Sequence, residues 1–146
     1  MNYSRSILLV EDKARDEKLA IRALAKNQIT NEVIVVRDGE EALDFLFGTG
    51  AYQGRDSKEL PAVVLLDLKL PKLDGLEVLS RIRNNENTKR LPVVILTSSD
   101  EENDLIKSYD NGANSYIKKP VDFEHFVEVV NKLGFYWLLM NSPAPK

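Results

Sequence analysis

Four stretches constrain this chain more than anything else in it: Ser6-Ile-Leu-Leu-Val10, Glu32-Val-Ile-Val-Val36, Ala62-Val-Val-Leu-Leu66 and Pro92-Val-Val-Ile-Leu96. Each is short, rich in β-branched residues and apolar without alternation. A strand with one wet face alternates; these do not, so they predict strands buried on both faces. Between them lie longer segments with helical spacing, such as Leu19, Ala20, Ala23 and Leu24, or Leu76, Leu79 and Ile82. A weaker fifth strand, Asn114-Ser-Tyr-Ile-Lys118, follows the helix stop Asn111-Gly112, and a last helix places Phe123, Phe126, Val127 and Val130 on one stripe. Strand and helix thus alternate five times. Right-handed crossovers then require a parallel sheet with helices on both faces, a doubly wound α/β fold.

At 146 residues and 43% apolar content the chain can bury one core without staples and has no room for a second functional domain. Its 23 acidic and 20 basic residues leave a net charge of -3, without the basic excess that nucleic-acid binding needs. The absence of cysteine removes disulfides, zinc thiolates and thiol nucleophiles. The N-terminus meets acidic residues too early for a signal peptide, and no stretch reaches membrane-spanning length. The expectation is a cytoplasmic protein with neither nucleic-acid nor membrane partners.

Two segments exceed the minimal unit. Residues 47–60, FGTGAYQGRDSKEL, make a long connection whose glycines follow a helix and lack the GxGxxG spacing, so it reads as a surface loop and not a nucleotide loop. Phe135-Tyr-Trp-Leu-Leu-Met140 is apolar at six consecutive positions and on a helix would cover every face. Two readings stand open for it: packing back onto its own domain, and self-association or partner docking.

In an open parallel sheet, ligands bind beyond the carboxyl ends of the strands. Strand 1 ends there in Glu11-Asp12, strand 3 in Asp67, strand 4 in Thr97, and strand 5 leads to Lys119-Pro120. Singly these are a helix cap, a turn, a strand threonine and a solvated lysine. Together they form a charged cluster. Carboxylates so close repel by roughly 4 kcal/mol per pair at an effective dielectric near 20, which calls for a neutralising cation. A hard divalent ion such as Mg²⁺ takes oxygen ligands and would suit them. A carboxylate in that setting is a plausible nucleophile for phosphoryl transfer, with Lys119 and the Thr97 hydroxyl available to equatorial oxygens.

Glu11-Asp12, Asp67, Thr97 and Lys119-Pro120, with Leu70-Pro71 and Asp74-Gly75 after the acceptor, resemble the response-regulator receiver family. The resemblance covers about residues 5 to 138, with residues 139–146 as a tail and no output domain. It implies a flavodoxin-like five-stranded sheet of order 2-1-3-4-5. It also implies phosphorylation of Asp67 by a sensor histidine kinase, and Mg²⁺ or Mn²⁺ held by Glu11, Asp12, Asp67 and the Lys69 main-chain carbonyl. Thr97 and Tyr116 then correspond to the switch pair, Lys119 to the phosphate-bridging lysine, and Pro120 to the residue that fixes its loop. The helix 4, strand 5 and helix 5 face would change on phosphorylation, and with the C-terminal aromatic segment could serve a homodimer. The long loop after helix 2 and the aromatic extension resemble the small receivers that serve bacterial phytochrome-type kinases.

Lys69, two residues after the acceptor, is expected near the mouth of the site, where it would alter phosphoryl lifetime. His125 reads as a helix-surface residue and not a phosphodonor. A haloacid-dehalogenase-type phosphatase also uses a strand-end aspartate, Mg²⁺ and a lysine, but carries a second acid where this chain has Lys69. A flavodoxin-like FMN carrier is disfavoured because Glu11-Asp12 would repel the flavin phosphate, and a degenerate receiver used only for binding because the site is complete. The protein is therefore expected to be a signalling phosphoacceptor and not an enzyme acting on external substrates.

Overall fold

A computed structural model describes residues 6–26, 31–98, 101–119, 122–134 and 136–137. Five strands, β1 (Ile7–Val10), β2 (Val33–Val36), β3 (Val63–Leu66), β4 (Val93–Thr97) and β5 (Ser115–Lys118), alternate with five helices. These are α1 (Ala14–Lys26), α2 (Gly39–Phe47), α3 (Gly75–Arg83), α4 (Glu102–Asp110) and α5 (Phe123–Gly134). All pairings are parallel, in the order β2-β1-β3-β4-β5. The expected doubly wound architecture and its strand order are both present.

The lack of alternation in the strands has the anticipated cause. Leu8, Val10, Val64, Leu66, Val93 and Ile95 face a core closed by α2 and α3, through Ala42, Phe45, Leu46, Val78, Leu79 and Ile82. Their neighbours Ile7, Leu9, Val63, Leu65, Val94 and Leu96 face a second core closed by Ala20, Ala23 and Leu24 of α1 and Phe126 and Val130 of α5. Strand β2 departs from expectation: Val33, Ile34 and Val35 are only half-buried, because β2 is an edge strand. Helix α4 also differs from the others. It buries Asp104 and Ser108 while Leu105, Ile106 and Tyr109 remain exposed, so few apolar contacts hold it down.

Residues 47–60 are a surface connection, as read, but one tied to α2. A short 3₁₀ turn, Gly50–Tyr52, directs the Tyr52 hydroxyl to Glu41 (2.8 Å) and its ring into a T-shaped contact with Phe45, while the Arg55 guanidinium lies over the Phe45 ring, 4.1 Å from its centroid. At the chain's far end Trp137 packs against the α1/α5 core and meets Tyr136 edge-on, whereas Tyr136 is half exposed. Phe135, the remainder of the aromatic segment and Pro120 lie outside the described residues.

Candidate functional site

Each strand-end residue reaches the rim because its strand's register delivers it there. Val10 pairs with Leu66, so Glu11 and Asp67 emerge side by side, and β4 carries Thr97 one strand away. The main chain then locks the arrangement: Asp67 N–H donates to the Val10 carbonyl (3.2 Å) and Lys119 N–H to the Thr97 carbonyl (2.7 Å). Behind Asp67, Asp74 caps α3 by accepting from Glu77 N–H (3.0 Å). At Gly75 any Cβ would collide with the Asp67 carbonyl oxygen, so only glycine lets the helix start this close to the end of β3.

The side chains converge. Asp67 Oδ1 accepts from the Thr97 hydroxyl (2.8 Å) and from Lys69 N–H (3.2 Å); its Oδ2 meets Lys119 Nζ at 3.0 Å. The same ammonium contacts Glu11 Oε1 and, at 2.9 Å, Asp16 Oδ2. Glu11, Asp67 and Thr97 are buried; Asp12 is exposed. Ligand oxygens of Glu11, Asp12 and Asp67 lie within 4.8 Å of one another.

Burial sets the electrostatics and the contacts redistribute it. Desolvation pushes Glu11 up to about 7 despite the Lys119 contact. Burial acts on Asp67 the same way, but the Lys119 charge and the Thr97 and backbone hydrogen bonds outweigh it and hold that carboxyl below its usual range. For Lys119, burial favours the neutral amine, yet Asp16, Glu11 and Asp67 together keep it above its ordinary value. Asp67 is thus an ionised carboxylate needing no base, beside an acid whose charge one lysine does not fully compensate. Three oxygen donors gathered this way, one raised by desolvation, fit a hard divalent cation.

The sequence-predicted residues Glu11, Asp12, Asp67, Thr97 and Lys119 come together. Tyr116 is half-buried on β5 and packs at the edge of the α2/α3 core. The Lys69 side chain turns toward α4, where it pairs with Asp104 (3.5 Å) while remaining well exposed. His125 is exposed and joined to Asp122, the residue that accepts from its backbone N–H at the start of α5. Asp16 was not anticipated. An acid in the first turn of a helix is ordinary, and only the fold brings this one to a lysine 103 positions away.

A doubly wound sheet with an ionised aspartate, a lysine and a cation-ready acid pair at its carboxyl edge defines a phosphoacceptor-type signalling domain. The chain belongs to the response regulator receiver domain family, whose model matches residues 7–131. It is 40% identical over 137 residues to response regulator Rcp1 of Synechocystis sp., covering 94% of this chain and 91% of that protein. A Mn(2+)-bound form of Rcp1 superposes with TM-score 0.87 at 38% identity, over 97% of this chain and 99% of the other. The phosphorylated cyanobacterial phytochrome response regulator RcpA gives TM-score 0.88 at 38% identity over the same shares. The bacteriophytochrome response regulator AtBRR is 53% identical, with TM-score 0.75 over 94% of this chain and 98% of that one. The protein is a two-component response regulator close to the bacteriophytochrome response regulators, and a receiver implies a histidine kinase as partner. Among the described residues no helix is long and apolar enough to cross a membrane.

Proposed function

We propose that the chain accepts a phosphoryl group on Asp67 from a phytochrome-type histidine kinase and does no chemistry on external substrates. The observation that carries this reading is the Asp67 carboxylate itself, ionised and held by Thr97 and Lys119 at 2.8 and 3.0 Å. A carboxylate oxygen forms the new P–O bond as the P–N bond of the donor phosphohistidine breaks, and the departing imidazole takes its proton from solvent. The Thr97 hydroxyl and Lys119 ammonium, now on the carboxylate, are in reach of oxygens on the product. Glu11, Asp12, Asp67 and the Lys69 carbonyl would hold Mg²⁺ or Mn²⁺. When bound, that ion supplies charge neutralisation for the phosphoryl oxygens.

The output follows from how weakly α4 is anchored. The Thr97 hydroxyl already donates to Asp67, so its transfer from the carboxylate to a phosphoryl oxygen would pass a change to the β4/β5 pair that carries Tyr116, and α4 has little apolar burial to resist a shift. Lys69, joined to Asp104 of α4, adds a second link from the acceptor loop to that helix, and would shorten or lengthen the phosphoryl lifetime if it leaves Asp104 for the new charge. The exposed Leu105, Ile106 and Tyr109 on α4, with Tyr136 near the C-terminus, favour an α4/β5/α5 homodimer in the cytoplasm. Identity to AtBRR and RcpA supports the phytochrome-type donor.

Incubation with acetyl phosphate and Mg²⁺ should add one phosphoryl group by mass, and Asp67→Asn should abolish it. Unchanged incorporation in Asp67→Asn would sink the assignment.

A further inference from the structure

Lys119 has one more partner than a phosphoacceptor site requires. Its ammonium touches Glu11 and Asp67, two of the three carboxylates grouped for a cation, and also Asp16, on the first turn of α1. Asp16 is not one of that group, yet its side chain is only 21% exposed and lies 2.9 Å from a lysine that is 7% exposed. We propose that Asp16 is a positioning residue: it keeps Lys119 seated at the site when Glu11 and Asp67 are given over to the metal and the phosphoryl group. The proposal rests on the roles assigned above to Lys119 and Asp67.

Metal and lysine compete for the same oxygens. A divalent cation arriving at Glu11, Asp12 and Asp67 takes oxygens that Lys119 already holds, and like charge pushes the ammonium away. Lys119 cannot retreat cheaply into water, because its side chain is buried and its backbone N–H is fixed to the Thr97 carbonyl. It needs an anion that the metal does not claim. Among the described residues the charge partners of Lys119 are Glu11, Asp16 and Asp67, and only Asp16 stands apart from the cation cluster. With Asp16 gone, the metal would have to displace a buried ammonium from its last partners, so metal binding should weaken even though no metal ligand has changed. Partners that orient a metal site from behind its ligands commonly change affinity by about 10- to 100-fold when removed.

The test is a double-mutant cycle on Mn²⁺ affinity, read by titration on the full chain without any phosphodonor. Asp16→Asn should weaken Mn²⁺ binding about tenfold in the wild-type background and have no further effect in Lys119→Met. Asp16→Glu, which keeps the charge within reach of Lys119, should restore affinity to within about twofold, and covers the case in which the asparagine variant misfolds. Glu17→Gln, which removes the neighbouring carboxylate that pairs with Arg37, should leave affinity unchanged. Equal losses from Asp16→Asn in both backgrounds would mean a general charge effect and overturn the proposal, as would no loss in either. Because nothing is phosphorylated in this experiment, its failure is separate from that of the Asp67 assignment, which the acetyl phosphate reaction tests.

Discussion

The two ends of the sheet each hold a network of polar side chains around one basic residue, and the networks are built on opposite principles. At the amino end Arg83, the last residue of α3, donates to the carbonyls of Gly112 (2.9 Å) and Leu91 (2.7 Å) and to Asn114 Oδ1 (2.9 Å). The Asn114 oxygen also accepts from Val93 N–H (2.8 Å), so a single guanidinium joins α3 to the entries of β4 and β5. Every acceptor there is neutral and has fixed geometry. At the carboxyl end one ammonium is shared by three carboxylates, and a fourth, Asp12, stands nearby. Donors and acceptors match at the first end, while charges do not cancel at the second. A satisfied network is structure; an overcharged one stays responsive to whatever brings positive charge or a phosphoryl group.

Removing the basic residue at each end should separate the two cases. Arg83→Met strands several acceptors at once and should cost roughly 3 kcal/mol, read as a lower urea midpoint at unchanged slope. Its Mg²⁺ affinity should stay within about twofold of wild type; a larger loss would mean the two ends are not independent. Lys119→Met should cost roughly 2 kcal/mol in metal-free protein near pH 8, since it leaves carboxylates buried together, and saturating Mg²⁺ should restore most of that. Loss that Mg²⁺ cannot recover would make Lys119 as structural as Arg83.

The pH response sharpens the contrast further. Glu11 is raised to about 7 in the metal-free fold, so the folded chain holds its proton where the unfolded chain, near 4.5, has already released it. Its contribution is fully present below about 4.5 and lost as pH rises through about 7. Asp67, lowered in the fold, has the opposite sign: its contribution is present above the ordinary aspartate range and lost as pH falls through its folded value. The two windows do not overlap. The thermal midpoint of metal-free protein should therefore drop between about pH 4.5 and 7, and both Glu11→Gln and saturating Mg²⁺ should flatten that slope. A midpoint indifferent to pH across this range would show that Glu11 is not destabilised by its burial.

Most of the rim was legible because its residues lie next to strands that announce themselves. Runs such as Val63–Leu66 are buried on both faces, so the next residue, Asp67, must stand at the sheet's edge whatever else is true. What was not legible depends on contacts between elements. Nothing in the order of residues says that Asp16 and Lys119 meet, or that the Lys69 side chain turns to Asp104. The half-burial of Val33 to Val35 was missed for a similar reason, since a β-branched run looks the same in a central strand and at an edge. The 47–60 connection reads as a surface loop from its length and from glycines that lack a nucleotide-loop spacing, whereas the contacts of Tyr52 with Glu41 and of Arg55 with Phe45, which tie it to α2, exist only once the chain has folded.

Backbone strain falls on the same side as the charge imbalance. Lys72, in the loop between β3 and α3, has φ +64°, and is the one non-glycine residue with positive φ among those described. The neighbouring Leu73 N–H reaches back to the Pro71 carbonyl (2.7 Å), which closes a three-residue γ-turn around it. An L-residue held there costs about 1–2 kcal/mol. Lys72→Gly removes that cost, gives back roughly 0.5–1 kcal/mol in unfolded-chain entropy, and forfeits an exposed 3.7 Å pair with Asp38 that is worth little. The net should be a gain of roughly 0.5 kcal/mol, a rise of a degree or two in the thermal midpoint, whereas Lys72→Ala keeps the strain and should gain nothing. If both variants behave alike, the turn is not strained and the carboxyl end owes its instability to charge alone.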